Sequence, residues 1–293
     1  MLRSLLAAGL VLGLSVPAAA QEPLRQAVAA YVQPSNAERL RVLTGQLEAA
    51  GLDYEIQTFE GGGRAGPMQG SNVVVALGEG ERDILLNAHY DAVVLPSGEM
   101  AHGVVDNAAS TVAVIEAAKA LRGRDLNHRV LVIFFDQEEL GLIGARRWIE
   151  ANGAGRVAAV VNSDVAAFGD TLMYGENNGE RSAFILTALR GECAERALTC
   201  IGFPVYPPSD DRAFIAAEVP VVSIGFQRRV GAHQMWLAFN GGEANGLAEG
   251  FTPEVFRLIH SEGDRMEAVE PATVALAAEV YADLISRLDA AQR

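Results

Sequence analysis

The sequence predicts an α/β fold: a single-domain, three-layer α/β/α architecture around a central, largely parallel mixed sheet. Three observations carry this reading. Apolar runs of strand length alternate with stretches whose apolar residues recur at helical spacing, the pattern of a sheet packed on both faces by helices. Half of the 293 residues are hydrophobic, enough to bury a sizeable core. Neither an internal repeat nor a long low-complexity linker divides the chain, so one domain is the simplest account.

The elements follow in order. "LRQAVAAYV" (24–32) and "NAERLRVLTGQLEAAG" (36–51) read as helices, the second with Ser35 or Asn36 as its cap and Gly51 as its stop. Strands are expected over "DYEIQTFE" (53–60), "NVVVALG" (72–78) and "DILLNAHY" (83–90). A helix over "NAASTVAVIEAAKALRG" (107–123), a strand over "RVLVIFFD" (129–136), a helix over "LGLIGARRWIEANG" (140–153) and a strand over "AAVVNSD" (158–164) come next. "VPVVSIGF" (219–226) is the last strand and "PATVALAAEVYADLISRLDAA" (271–291) the last helix. The glycine-containing segment 227–259 lacks strong periodicity and reads as a lid or binding loop. Within it, Met235, Trp236 and Phe239 either cap the core or line an apolar substrate pocket, with His233 or Tyr206 available to an oxyanion.

Residues 1–20, "MLRSLLAAGLVLGLSVPAAA", run from Arg3 through an apolar stretch to a small-residue end, the form of a cleavable secretory signal. The mature domain is then 21–293, exported to the periplasm or secreted. No later segment has the run of about 20 apolar residues that a membrane span needs. With 23 basic and 37 acidic residues the net charge is −14, and removing Arg3 with the leader makes it more negative. Nucleic acid, which needs a basic surface, is excluded as a partner. Cations, either metals or an amine-bearing substrate, fit instead. Cys193 and Cys200, seven apart, read most simply as a disulfide in an exported protein, with two free buried thiols as the alternative.

The polar residues gather at strand ends. His89 and Asp91 close one expected strand, Asp136, Glu138 and Glu139 follow another, Asp164 ends a third, and Asp106 stands at the start of a helix. Ligands collect beyond the carboxyl ends of strands in open α/β sheets. Taken singly, each motif has an ordinary structural explanation: His-x-Asp is a surface turn, Asp106-Asn107 a helix cap, Glu138-Glu139 helix-dipole compensation, and "HSEGD" (260–264) a polar turn. Together, acids converging on one sheet edge repel one another, and a metal cluster offsets them economically. His102 reads as exposed in a glycine-containing loop, and His128 as a surface residue.

The chain resembles the M28 family of zinc peptidases, which includes exported bacterial aminopeptidases. "HYD" (89–91), "GVVDN" (103–107), "EELGLIGAR" (138–146), "NSD" (162–164), "SDDRAFIAAEVPVVSI" (209–224) and "HSEGD" (260–264) carry the resemblance. It implies that Asp106 bridges two zinc ions, His89 and Asp164 completing one and Glu139 and His260 the other. It makes Glu138 the general base and Asp91 the partner that orients His89. It also implies a cis peptide bond at Asp106-Asn107. The chain departs from the family at Ala109-Ser110, where Ser-Gly is usual, at Asp211, where a histidine is usual, and at Ser261, where threonine is usual. These changes bear on specificity more than on metal binding.

The chemistry needs these residue types. Histidine nitrogen and carboxylate oxygen bind zinc at about 2.0–2.2 Å, and a carboxylate free of metal must take the proton of the attacking water and pass it to the leaving amine. The expected activity is that of a two-zinc aminopeptidase acting on peptides with a free N-terminus. A glutaminyl-peptide cyclotransferase with one zinc, and a non-catalytic binding protein of the same fold, are the alternatives. "FFD" before Gln137-Glu138-Glu139 favours the cyclase; the five-ligand set and "DNAAS" (106–110) favour the hydrolase.

Overall fold

The computed structural model describes residues 18–63 and 66–291. The expected leader therefore lies outside the described residues, save for Ala18–Ala20, which open the first helix. Nine α-helices and eight strands are described: α1 (Ala18–Ala29), α2 (Asn36–Ala49), β1 (Glu55–Gly63), β2 (Gly66–Leu77), β3 (Asp83–His89), α3 (Ala109–Leu121), β4 (Arg129–Phe135), α4 (Ile143–Asn152), β5 (Val157–Ser163), β6 (Thr171–Gly175), α5 (Ala183–Glu195), β7 (Thr199–Phe203), α6 (Asp211–Ala216), β8 (Val221–Gln227), α7 (Arg229–Asn240), α8 (Glu254–Leu258) and α9 (Pro271–Ala291).

The strands form one mixed sheet in the order β1-β2-β4-β3-β5-β8-β6-β7. The central run β4-β3-β5-β8 is parallel throughout. Antiparallel pairs join it to β2 on one side and β6 on the other. Its four strands therefore all end on the same edge, and the residues following them are brought together there.

Helices cover both faces. On one, α3 packs on α9, with α1 and α5 also against α9; Val112, Ile115, Val274, Tyr281 and Leu284 join strand residues such as Ile84, Leu86 and Val132 in the larger core. On the other, Ala145 and Trp148 of α4 and Phe214 of α6 meet Leu85, Leu131, Phe135 and Val160. Phe214 is fully buried, with ring centroids 6.1 Å from Phe135 and 6.2 Å from Trp148. Phe214→Ala is expected to cost about 3–5 kcal/mol, from lost transfer energy and the cavity left behind; the shift of the urea midpoint at unchanged slope measures it.

Local signals explain several boundaries. Ser35 caps α2, its hydroxyl oxygen accepting from the Glu38 amide at 3.3 Å. The chain enters α3 through a kinked turn at Val104–Ala108 in which Asp106 and Asn107 leave helical geometry, and the Asp106-Asn107 peptide is cis. Cys193 and Cys200 form a disulfide with Cα atoms 6.2 Å apart, tying α5 to β7, the strand that leads toward Tyr206.

Several expectations are corrected. β6 and β7 are additional strands, each of five residues, and α5 and α6 are additional helices. The segment 227–259 contains α7 and α8 rather than an irregular lid. His128 is buried, not superficial: Asp289 of α9 accepts from its backbone amide at 2.8 Å and lies 3.0 Å from its Nδ1. Among the described residues, no helix is long and apolar enough to cross a membrane.

Candidate metal centre

β3 delivers His89 and β5 ends immediately before Asp164, while the loop after β4 carries Glu138 and Glu139. The turn preceding α3 supplies Asp106, and the loop after α8 supplies His260. The structure thus brings all five ligand candidates and Glu138 to one site. His89 Nε2 lies 3.1 Å from Asp106 Oδ1 and 3.9 Å from Asp164 Oδ1. On the other side, His260 Nε2 lies 3.2 Å from Asp106 Oδ2 and 2.9 Å from Glu139 Oε2. Each oxygen of Asp106 therefore faces a different histidine.

The donor set fits metal ions. In a tetrahedral site with metal–ligand distances of about 2.0–2.1 Å, neighbouring ligand atoms stand about 3.3 Å apart; most of the spacings above are close to this. Glu139 Oε1 and Asp164 Oδ1 are buried without a hydrogen-bond partner, an arrangement that is costly unless a cation completes it. Among the described residues, two groups have their ligand atoms within 4.8 Å of one another: His89, Glu138 and Asp164, and Asp106, Glu139 and His260. The first contains Glu138 where Asp106 is the expected third ligand, so Glu138 stands beside that position.

The electrostatics of the protein groups point the same way. Burial opposes a charge on His89, but Glu138, Asp106 and Asp91 outweigh it and hold its pKa well above the ordinary histidine value. Hydrogen bonds to Asp106 and Glu139 push His260 up to about 11. Burial works to raise the Asp106 carboxyl, yet the two histidines overcome it and hold the group below the usual carboxylate range. Burial, reinforced by Asp106, pushes Glu139 up to about 7 and Asp164 up to about 6. Burial also raises Glu138 well above its ordinary value, with Asp210, Asp164 and Asp106 adding to it and His89 opposing. The cluster holds protons tightly because its carboxylates call for positive charge.

Surrounding groups hold this arrangement. Asp91 Oδ1 lies 3.3 Å from His89 Nδ1, and its two oxygens accept from the Glu138 and Glu139 amides at 3.2 Å each. One carboxylate thereby holds the adjacent-glutamate loop and lies beside the His89 ring. Asp264 accepts from the amides of Val104, Val105 and Asp106 at 2.9, 2.7 and 3.2 Å. Asn107 bridges to the end of β5, donating to Ser163 O at 2.9 Å and accepting from Val165 N at 3.1 Å. Backbone strain sits alongside: Gln137, Val165 and His260 have φ of 57°, 60° and 55° without being glycine. Such conformations cost about 1–3 kcal/mol each and cluster at functional sites.

Sequence reasoning identifies Asp91 but not Asp264, Asp210 or Arg39. Asp264 ends the "HSEGD" motif, four residues beyond His260. Asp210 is fully buried with neither carboxylate oxygen hydrogen-bonded, and burial raises it well above the usual carboxylate range.

Next to the site lies a cavity of about 340 Å³, lined by Glu138, Asp164 and His260 at one end and by apolar groups including Met173, Met235 and Phe239. Tyr206 also lines it. Trp236 does not; its indole donates to Gly202 O at 3.1 Å and packs against the core. His233 is exposed, its Nδ1 2.7 Å from Arg229 O, and is not part of the cavity wall. His102 is half-buried and is in neither ligand group.

Comparison with known proteins agrees with this fold. No curated protein sequence matches the chain. Among solved structures, the chain is similar to a Zn-dependent exopeptidase from Parabacteroides distasonis, with 16% identity and TM-score 0.69 over 90% of this chain and 97% of that one. It is similar to the glutaminyl cyclase of Porphyromonas gingivalis, with 17% identity and TM-score 0.70 over 95% and 100%. A leucine aminopeptidase precursor from Bacteroides thetaiotaomicron matches at 17% identity and TM-score 0.70, over 90% and 96%. At these identities the structures share the fold. The family model for peptidase family M28 matches residues 72–285, the span that contains every ligand candidate, and the chain belongs to that family.

Proposed function

We propose that this protein is an exported two-zinc aminopeptidase that removes the N-terminal residue of peptides. The observation that carries the reading is Asp106, whose two oxygens each stand at ligand spacing from a different histidine. A carboxylate so placed is suited to two cations, with His89 and Asp164 on one side and Glu139 and His260 on the other. Bound zinc supplies Lewis acidity and lowers the pKa of a coordinated water.

The chain's own residues supply the rest. Glu138 faces the cavity, whereas Glu139 does not line it and is turned toward His260. Glu138 accordingly takes the proton from the attacking water and returns it to the departing amine, a role for which a carboxyl raised by burial is suited. Asp91 Oδ1, 3.3 Å from His89 Nδ1, favours the tautomer protonated on Nδ1 and so leaves Nε2 free as a ligand. Tyr206 is buried in the cavity wall, and burial keeps its phenol protonated; it is the remaining candidate donor to a developing oxyanion. The apolar cavity receives the side chain of the terminal residue, and the excess of carboxylates attracts its ammonium. The Cys193–Cys200 bridge supports an oxidising compartment, periplasmic or extracellular.

Metal analysis of the purified protein, combined with a panel of free and N-blocked peptides, tests the reading. The expected result is two zincs per chain and release of the first residue only from free amino termini. Pyroglutamate formation with one zinc would assign the cyclase activity instead, and inertness toward the whole panel would leave a binding protein.

A further inference from the structure

Arg39 of α2 is fully buried, and a long cationic side chain is almost never so unless strongly partnered. Its partners are backbone carbonyls: Nε donates to Tyr90 O at 2.6 Å, Nη1 to Tyr31 O and His102 O at 2.8 Å each, and Nη2 to Gly103 O at 3.1 Å. Tyr90 lies between His89 and Asp91, and His102 and Gly103 lead directly into the turn bearing Asp106. Asn36, one turn earlier on α2, grips the first of these loops as well. It accepts from Ala92 N at 3.0 Å and donates to Ala92 O at 3.4 Å.

The second loop is held from two directions. Arg39 takes its carbonyls, and Asp264 takes the next three amides. Gly103 adopts a left-handed φ of 57°, and a Cβ there would come within 2.7 Å of Ala92 Cβ and 3.1 Å of Arg39 Nη1. The two loops thus meet against the guanidinium with no spare volume. Asp91, Asp106 and Asp264 also act electrostatically on this buried cation.

We propose that Arg39, assisted by Asn36, is a positioning residue for the metal centre. Its planar fork sets the separation between the His89–Asp91 loop and the Gly103–Asp106 turn, so that His89 Nε2 and Asp106 Oδ1 stand at ligand spacing before a cation binds. Both residues precede residue 72 and lie outside the span matched by the family model. The inference rests on the metal reading given under Proposed function. Lysine would keep the charge, but as a compact point donor it cannot span four carbonyls.

The test uses the full chain and reads zinc affinity by competition with a chromophoric chelator, together with the visible spectrum of the Co²⁺-loaded protein. Arg39→Lys is expected to weaken zinc binding by about 10–100-fold, the usual range for groups that orient ligands, and to alter the cobalt spectrum. Asn36→Ala should do the same to a smaller degree. Leu47→Ala, a core truncation on the same helix, should lower Tm and leave affinity and spectrum as in the wild type. Wild-type affinity and spectrum in Arg39→Lys would overturn the proposal; if that variant fails to fold, wild-type affinity in Asn36→Ala would do so. A wild-type protein that takes up neither zinc nor cobalt would instead remove the metal reading itself.

Discussion

Glu138→Gln is expected to keep its metal and lose about 100-fold or more in kcat, a typical general-base contribution. Glu139→Gln should give the opposite pattern, a weakened or missing metal, since a neutral amide is a poorer ligand than a carboxylate. Geometry separates the two neighbours: Glu139 Oε2 is 2.9 Å from His260 Nε2, while Glu138 borders the cavity. If both glutamates served only as helix-dipole compensation, each substitution would change stability by a few tenths of a kcal/mol and nothing else. Metal content and turnover measured on both variants decide the matter. Near-normal turnover in Glu138→Gln with two metals bound would take this residue out of the mechanism.

Asp106→Asn should have the widest consequence of any single change at the site. In the proposed bridging role Asp106 serves both metal positions, so metal content is expected to fall toward zero rather than from two to one. The loss of affinity should exceed the roughly 10–100-fold that groups orienting the ligands command. Activity should fall with it and recover only in part when zinc is added in excess. A variant that still holds one zinc at wild-type affinity would show that Asp106 serves a single ion. That result would favour the one-metal alternative.

The parallel centre of the sheet is legible in the sequence because its strands are apolar and punctuated, and because their ends carry polar residues. His89, Glu138, Glu139 and Asp164 can be placed on one sheet edge from that rule alone. His260 cannot, since it follows the short helix α8 in a segment with no strong periodicity; the family resemblance names it. β6 and β7 leave little trace because five residues give too little pattern to read, and β6 finds its partners β7 and β8 only in three dimensions. α7 is masked by Gly231 near its start and by the glycine-rich stretch after it. His128 reads as superficial because its partner, Asp289, lies 161 residues away. Arg39 gives no local signal at all: on a helical wheel it is one more charged residue, and only the fold shows that carbonyls from separate loops surround it.

The β1–β2 hairpin bears on how the family-matched segment would behave in isolation. Residues 72–285 carry every proposed ligand and the proposed base, yet β1 lies wholly outside them and most of its partners in β2 lie before residue 72. Excision at that boundary would strip Ile56 from Val73 and Glu55 from Val74 and turn the rest of β2 into an outer strand. Val73 and Val74 would then present unpaired amides and carbonyls on an apolar ribbon, the kind of margin that recruits other chains. Such a fragment would hold the whole chemical inventory of the enzyme and be prone to self-association before it could use it.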